Sequence, residues 1–183
     1  MTTKINSRLP IYPNAWKTNS SQKKYENAWI SIREDQVTRP DGKPGIYGVV
    51  ESRIATAVVA LEKDNSVWIV GQYRYPTKQY SWEVIEGGSD PQEQALDAVK
   101  RELLEEAGLK ANSWLQLGAP FYLSNCFSAE VAYVYLARDL IPATTTHTDP
   151  TEDLKLMKIP FEELVERVRS GEISDALSII AVE

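Results

Sequence analysis

Apolar residues in this chain fall in short blocks, and their spacing changes along it from continuous or alternating to threes and fours. Trp29-Ile30-Ser31-Ile32 and Ile46-Tyr47-Gly48-Val49-Val50 are β-like runs on either side of Pro40-Asp41-Gly42. The Asp-Gly pair marks a hairpin, lengthened by Pro44 and Gly45, so an antiparallel pair is expected. Ala55 to Leu61 and Val67 to Tyr73 are near-continuous apolar blocks separated by the polar Lys63-Asp64-Asn65, and they read as two further strands, the second delivering Arg74 to the edge of a cleft. Leu115 to Leu123, Ala129 to Leu136 and about Leu154 to Ile159 read the same way. Pro142 to Thr151 is polar and reads as a loop.

The helical spacing begins after Gly87-Gly88. Leu96, Val99, Leu103 and Ala107 recur at intervals of three and four and form one apolar stripe. Asp90 is a natural N-cap, Pro91 suits the first helical position and Glu93 completes a capping-box-like start, so the spacing predicts a helix from near 91 to about 107, stopped by Gly108. Pro160 opens a second helix with Phe161, Leu164, Val165 and Val168 on its apolar face and Gly171 at its end; Ser174 or Asp175 caps a last short one. Mixed strands with helices on two faces predict an α/β/α sandwich preceded by an N-terminal antiparallel β extension. Residues 1–53 form an arm and β-hairpin, expected to serve dimerisation, and 54–183 the main domain. Met1 to about Lys24 is polar, contains Pro10 and Pro13, and reads as an arm with little core of its own.

Composition narrows the class. At 183 residues with 43% hydrophobic content, one α/β domain and a modest extension are expected. A net charge of −6 disfavours a nucleic-acid surface, which needs clustered Lys and Arg to neutralise phosphates. The single cysteine, Cys126, excludes an intrachain disulfide framework. With no apolar run of signal-peptide length near the N-terminus, a cytoplasmic protein without a membrane segment is expected. His147, the sole histidine, has no histidine or cysteine partner in sequence and reads as exposed.

The candidate chemistry lies on the first helix. Glu102, Glu105 and Glu106 stand at i, i+3 and i+4, off the apolar stripe, so three carboxylates share about one turn. Like charges at that spacing cost an isolated helix roughly 0.2–0.5 kcal/mol per pair, a penalty that a divalent cation reverses. Hard oxygen ligands favour Mg2+, with Mn2+ as a substitute. Arg101 stands four residues before Glu105 and is expected to hold a carboxylate in place. Glu93 is expected to be structural, as a cap or a partner near Arg101. Gly87 and Gly88 allow a turn that brings a backbone carbonyl, that of Glu86, toward the cation.

These residues fall at the spacing G-x5-E-x7-R-E-L-x-E-E-x-G-L, from Gly87 through Glu93, Arg101, Glu102, Leu103, Glu105, Glu106 and Gly108 to Leu109. The string resembles the Nudix box of the Nudix hydrolases. Beyond it, Tyr25 to Ile30, Asp41 to Tyr47, Gln72 to Pro76, Ser81 to Glu83 and Gly171 to Ala176 look like the ADP-ribose and nucleoside-diphosphate-sugar pyrophosphatases of that superfamily. Two segments depart from the branch: Ile85-Glu86-Gly87-Gly88 stands where Pro-Ala-Gly-Gly is common, and Ser124 to Glu130 replaces a loop containing Pro-Gly.

The resemblance implies an α/β/α Nudix fold and Mg2+-dependent hydrolysis of a pyrophosphate bond, ADP-ribose giving AMP and ribose 5-phosphate. It implies Glu102, Glu105, Glu106 and the Glu86 carbonyl as metal ligands, and a catalytic base from the acidic loop, Glu152, or from the box, Glu105 or Glu106. Arg74 is the candidate phosphate or terminal-sugar contact, with Glu83 touching substrate or orienting Arg74. Trp29 and Tyr25 are similar in position to aromatics that meet the nucleobase, or else are core or interface residues; Tyr80 and Trp82 share that ambiguity. A homodimer in which one subunit completes the other's pocket is implied too. Nucleoside triphosphates or diadenosine polyphosphates would use the same box, and a non-catalytic Nudix-fold binding module commonly loses box glutamates, all three of which are present here.

Overall fold

The computed structural model describes residues 9–144 and 153–183. The chain divides into two compact units, Met1–Val50 and Glu51–Glu183.

In the first unit β1 (Lys17–Glu26), β2 (Ile30–Thr38) and β3 (Pro44–Ser52) form a sheet in that order. β1 and β2 are antiparallel, with Lys17 opposite Thr38 and Glu26 opposite Ser31. The expected hairpin closes β2 onto β3: Arg39 N–H donates to the Lys43 carbonyl at 2.8 Å, and Gly42 takes a φ of 79°. The arm differs from expectation, since its residues from Lys17 onward are a strand with every side chain exposed. Its ladder is made by backbone groups, and a strand that buries no side chain leaves no apolar alternation to read.

The second unit is a three-layer α/β/α sandwich. β4 (Ala55–Leu61), β5 (Ser66–Arg74), β6 (Gln79–Gly88), β7 (Leu109–Gln116), β9 (Val131–Pro142) and β10 (Lys155–Pro160) lie in the order β10-β5-β6-β4-β9-β7, with the two-residue β8 (Phe121–Tyr122) paired to β9. β4 and β9 run parallel and the other pairs antiparallel, so the sheet is mixed. Helix α1 (Ala95–Ala107) covers one face; α2 (Phe161–Arg169) and α3 (Ala176–Val182) cover the other. Both faces of β4 are therefore dry. Ala57, Val59 and Leu61 join Leu164, Val168 and Leu177, while Val58 and Ala60 join Val99 and Leu103. A strand buried on two sides needs a continuous apolar run, and β4 has one.

Three boundaries differ from expectation. α1 starts at Ala95, because Gln92 takes a φ of 72° and breaks the helical run. Asp90 and Glu93 do reciprocate, Asp90 N–H donating to Glu93 Oε2 at 2.8 Å and Glu93 N–H to the Asp90 carbonyl at 2.9 Å, yet they close a turn ahead of the helix. Gly108 ends α1 as expected, left-handed at φ 63°, and β7 begins at the next residue. The block Leu115 to Leu123 is split by Gly118, at φ 70°, into the end of β7 and β8.

On the far face, Asp175 caps α3 by accepting the Ser178 N–H at 2.8 Å, and the buried Ser178 hydroxyl accepts the Val84 N–H at 2.9 Å. One serine thus ties α3 to the middle of β6. On the near face Leu103 is fully buried beneath α1. Leu103→Ala should cost about 2–5 kcal/mol of unfolding free energy in a urea titration. A loss within experimental error of zero would contradict the packing of α1 on the sheet.

Candidate active site

The end of β6 and the middle of α1 approach each other so closely that no Cβ fits between them. A side chain at Gly87 would overlap the Glu102 carboxyl group. Gly87 and Gly88 lie within β6, and neither has a positive φ. The expectation of a turn is therefore corrected: Gly87 is required for close approach. Thr56 on the neighbouring strand donates its hydroxyl to the Gly87 carbonyl at 3.2 Å.

Arg101 binds together the groups around that contact. Its Nη1 donates to Glu102 Oε1 at 2.7 Å and to Glu105 Oε2 at 3.0 Å. Nη2 donates to the Gly88 carbonyl at 2.8 Å and to Glu93 Oε2 at 3.0 Å, and Nε to Glu93 Oε1 at 3.3 Å. One guanidinium thus joins the end of β6, the turn before α1 and two glutamates of α1. Burial works against its charge, but the bonds to Glu93 and the negative field of Glu102 more than offset it and hold its pKa above the ordinary value. Glu93 responds in kind, its carboxyl pKa lowered first by the Arg101 bond. Glu106 lies on the same helix, half-buried.

A second charged cluster lies around β6. Arg74 at the end of β5 turns its fork inward: Nε donates to Glu83 Oε1 and Oε2 at 2.9 and 3.1 Å, and Nη2 to Glu83 Oε2 at 2.5 Å and Glu86 Oε1 at 2.6 Å. The Glu83 side chain is 2% exposed and that of Glu86 10%. Asp175, at the start of α3, brings its carboxylate to within 4.8 Å of both. Burial, then the negative charges of Asp175 and Glu83, push the Glu86 carboxyl well above the usual carboxylate range despite Arg74. Arg74 is held above its ordinary pKa by Glu83 and Glu86 against the opposing effect of burial.

Of the candidate site residues, the structure gathers Arg101, Glu102 and Glu105 in one cluster and Arg74, Glu83 and Glu86 in another. Tyr25 and Trp29 lie in the first unit, 52% and 69% exposed. Glu152 lies outside the described residues, as does His147. Cys126 is exposed. Tyr80 and Trp82 pack edge to face at 5.8 Å and cross over Gly71, where a Cβ would stand 2.6 Å from the Tyr80 hydroxyl. Sequence reasoning missed Asp175 as a member of the second cluster, having read it solely as a cap, and missed the Glu86 side chain, having considered its carbonyl. The signal for Glu86 was present, as a glutamate where the branch has alanine; for Asp175 it was limited to its place in the Gly171 to Ala176 stretch, which does not reveal a partner 89 positions away.

A model described as "NUDIX domain" matches residues 51–177, and one described as "Nucleoside diphosphate sugar hydrolase N-terminal domain" matches residues 16–50. The chain belongs to the Nudix family and is a Nudix hydrolase. It is 32% identical over 173 residues to an ADP-ribose pyrophosphatase of Mycobacterium tuberculosis, covering 91% of this chain and 81% of that one. It is 28% identical over 172 residues to an ADP-ribose pyrophosphatase of Bacillus subtilis, covering 91% and 90%. A crystal structure of an ADP compounds hydrolase superposes with a TM-score of 0.79 at 18% identity, over 94% of this chain and 93% of that one, and shares its fold.

The second cluster has a pH signature. Because the folded pKa of Glu86 is raised above its usual value, folding retains a proton that the unfolded chain releases; Glu86 contributes most stability below the unfolded pKa and loses it as pH rises through the folded one. In EDTA, the unfolding free energy of the wild type should therefore fall more steeply than that of Glu86→Gln as pH increases from about 5 to 8. Parallel pH profiles would contradict the buried position of this carboxyl.

Proposed function

We propose that the protein is a Mg2+-dependent hydrolase of nucleoside-diphosphate sugars, acting on ADP-ribose to give AMP and ribose 5-phosphate. The observation that carries this reading is the Arg101 cluster: one guanidinium holds Glu102 and Glu105 of α1, and Glu102 lies against a strand end where a glycine alone fits. A protein that did not need those carboxylates together would not have to hold three acids around one cation. The donor set, all carboxylate and carbonyl oxygen, suits Mg2+ or Mn2+. Glu102, Glu105 and Glu106 would hold the ion with the Glu86 carbonyl, and when bound it supplies positive charge to the phosphate oxygens and lowers the pKa of attacking water.

The chain's own residues do the rest. Arg101 keeps Glu102 and Glu105 oriented through bonds to Glu93 and the Gly88 carbonyl, so their positions are set before substrate arrives. Glu83 fixes Arg74 through both carboxylate oxygens, which presents the guanidinium as a fixed positive charge for a phosphate or a sugar hydroxyl. The proton of the attacking water goes to a glutamate: Glu152 of the acidic loop, or Glu105 or Glu106 of the helix. Hydrolysis breaks the phosphoanhydride P–O bond, adding the water oxygen to one phosphorus and leaving the other phosphate as a monoester.

The names of the M. tuberculosis and B. subtilis relatives support ADP-ribose as substrate, and the match of residues 16–50 supports a nucleotide sugar. The first unit also supports a homodimer, since it leaves Tyr25, Trp29 and Ile46 exposed and one whole strand, β1, without buried side chains. No helix among the described residues is long and apolar enough to cross a membrane, and we place the enzyme in the cytoplasm.

The test is product chromatography with Mg2+ and a panel of ADP-ribose, ADP-glucose, GDP-mannose, diadenosine polyphosphates and nucleoside triphosphates. AMP and ribose 5-phosphate should form from ADP-ribose, EDTA should abolish the reaction, and Glu106→Gln should lower kcat by about 100-fold or more with a much smaller change in substrate affinity. Turnover confined to triphosphates or dinucleotides would assign another Nudix substrate, and none at all would leave a binding module. Light scattering on the same preparation should give twice the chain mass; a monomer would end the dimer proposal.

A further inference from the structure

Beside Arg101, a cavity of about 300 Å³ opens between α1 and the sheet strand β7. Lys100, Arg101 and Leu104 line it from α1, and Lys110, Ala111 and Trp114 from β7. Its volume lies at the lower end of the range for small-molecule sites. Nothing in the proposed hydrolysis uses Lys100, Lys110 or Trp114. We infer that this groove is a second ligand site, which takes a nucleoside monophosphate through base stacking on Trp114 and phosphate pairing with Lys100 and Lys110.

The aromatic wall is fixed in place. The Trp114 indole N–H donates to the Ala111 carbonyl at 3.1 Å, and its ring meets Tyr135 edge to face, centroids 6.4 Å apart at 76°. An indole held at two points loses little freedom when a planar ligand stacks on it, and stacking of this kind accepts any base. Leu104 and Ala111 complete an apolar lining suited to a ring and unsuited to a fully hydrated ion. The cations supply the other half of the ligand. Lys100 makes one loose contact, 3.7 Å from Asp97, and the exposed Lys110 has no ion pair among the described residues. Two weakly engaged ammonium groups beside an apolar lining, in a chain of net charge −6, call for an anion attached to a flat hydrophobic body.

Arg101 gives the groove its consequence. Arg101 lines the groove, yet all five of its N–H donors are directed to Glu93, Glu102, Glu105 and the Gly88 carbonyl, so it has no free donor for a ligand there. A ligand packed against the Arg101 side chain restrains the group that orients Glu102 and Glu105. If the hydrolase reading holds, the ligand class is also the product class, and occupancy of the groove then reports product level to the carboxylate cluster.

Isothermal titration of AMP into the full-length protein in EDTA tests the binding without turnover, so failure of the hydrolase reading leaves the result interpretable. AMP should bind one site per chain, and Lys110→Glu and Trp114→Leu should each weaken it about tenfold or more. Arg74→Ala should leave it unchanged. Lys110 occupies an exposed position of β7, so Lys110→Glu should keep wild-type melting, which guards against a folding artefact at Trp114. The proposal is overturned if AMP does not bind in EDTA, if Lys110→Glu binds it as the wild type does, if Arg74→Ala abolishes it, or if inorganic phosphate displaces it as well as AMP does.

Discussion

The Arg101 guanidinium is the interaction on which this site depends. It is a half-buried cation bonded to three carboxylates and a backbone carbonyl, which come from the end of β6, the turn before α1 and α1 itself. Without it, Glu102 and Glu105 would face each other and Glu93 across a short distance with no compensating charge. Such a cluster is poor evidence for net stability, because desolvating the ions costs about as much as their attraction returns. What it supplies is geometry. Planar donors at fixed angles hold planar acceptors at fixed angles, as a lysine ammonium at the same place would not.

β6 is where that geometry meets the rest of the molecule. At Gly87 the strand lies against the Glu102 carboxyl group, and at Gly88 it offers its carbonyl to Arg101. A few residues earlier the same strand carries Glu83 and Glu86 to Arg74, and Val84 between them is bonded to Ser178 of α3. The two helical layers are thus both fastened to β6, α1 through a charge cluster and α3 through a buried hydroxyl. The sandwich places its charged groups on the strand that both layers share, so that neither cluster rests on a loop alone.

Much of this was legible in the sequence, for identifiable reasons. Strands buried on both faces, such as β4, advertise themselves as apolar runs, and Gly108 marks the end of α1 because its left-handed turn excludes most other residues. The spacing from Gly87 to Leu109 carried the family and the pairing of Arg101 with Glu105, since both lie on one helix. What was not legible depends on distance in sequence or on the backbone alone. β1 pairs through main-chain groups and buries nothing. The start of α1 was displaced by the left-handed Gln92, a conformation that no residue type there demands. Asp175 joins Glu83 and Glu86 because α3 returns across the sheet, a fact of topology.

The most direct test of the central claim is to titrate Mn2+, followed by electron paramagnetic resonance, into the wild type and Arg101→Lys, which keeps the charge and removes the fork. If Arg101 organises the carboxylates into a cation site, the variant should bind Mn2+ about 10–100-fold more weakly while its thermal unfolding stays cooperative. Equal Mn2+ affinity in the two proteins would show that the glutamates reach their positions without it, and the account would be wrong.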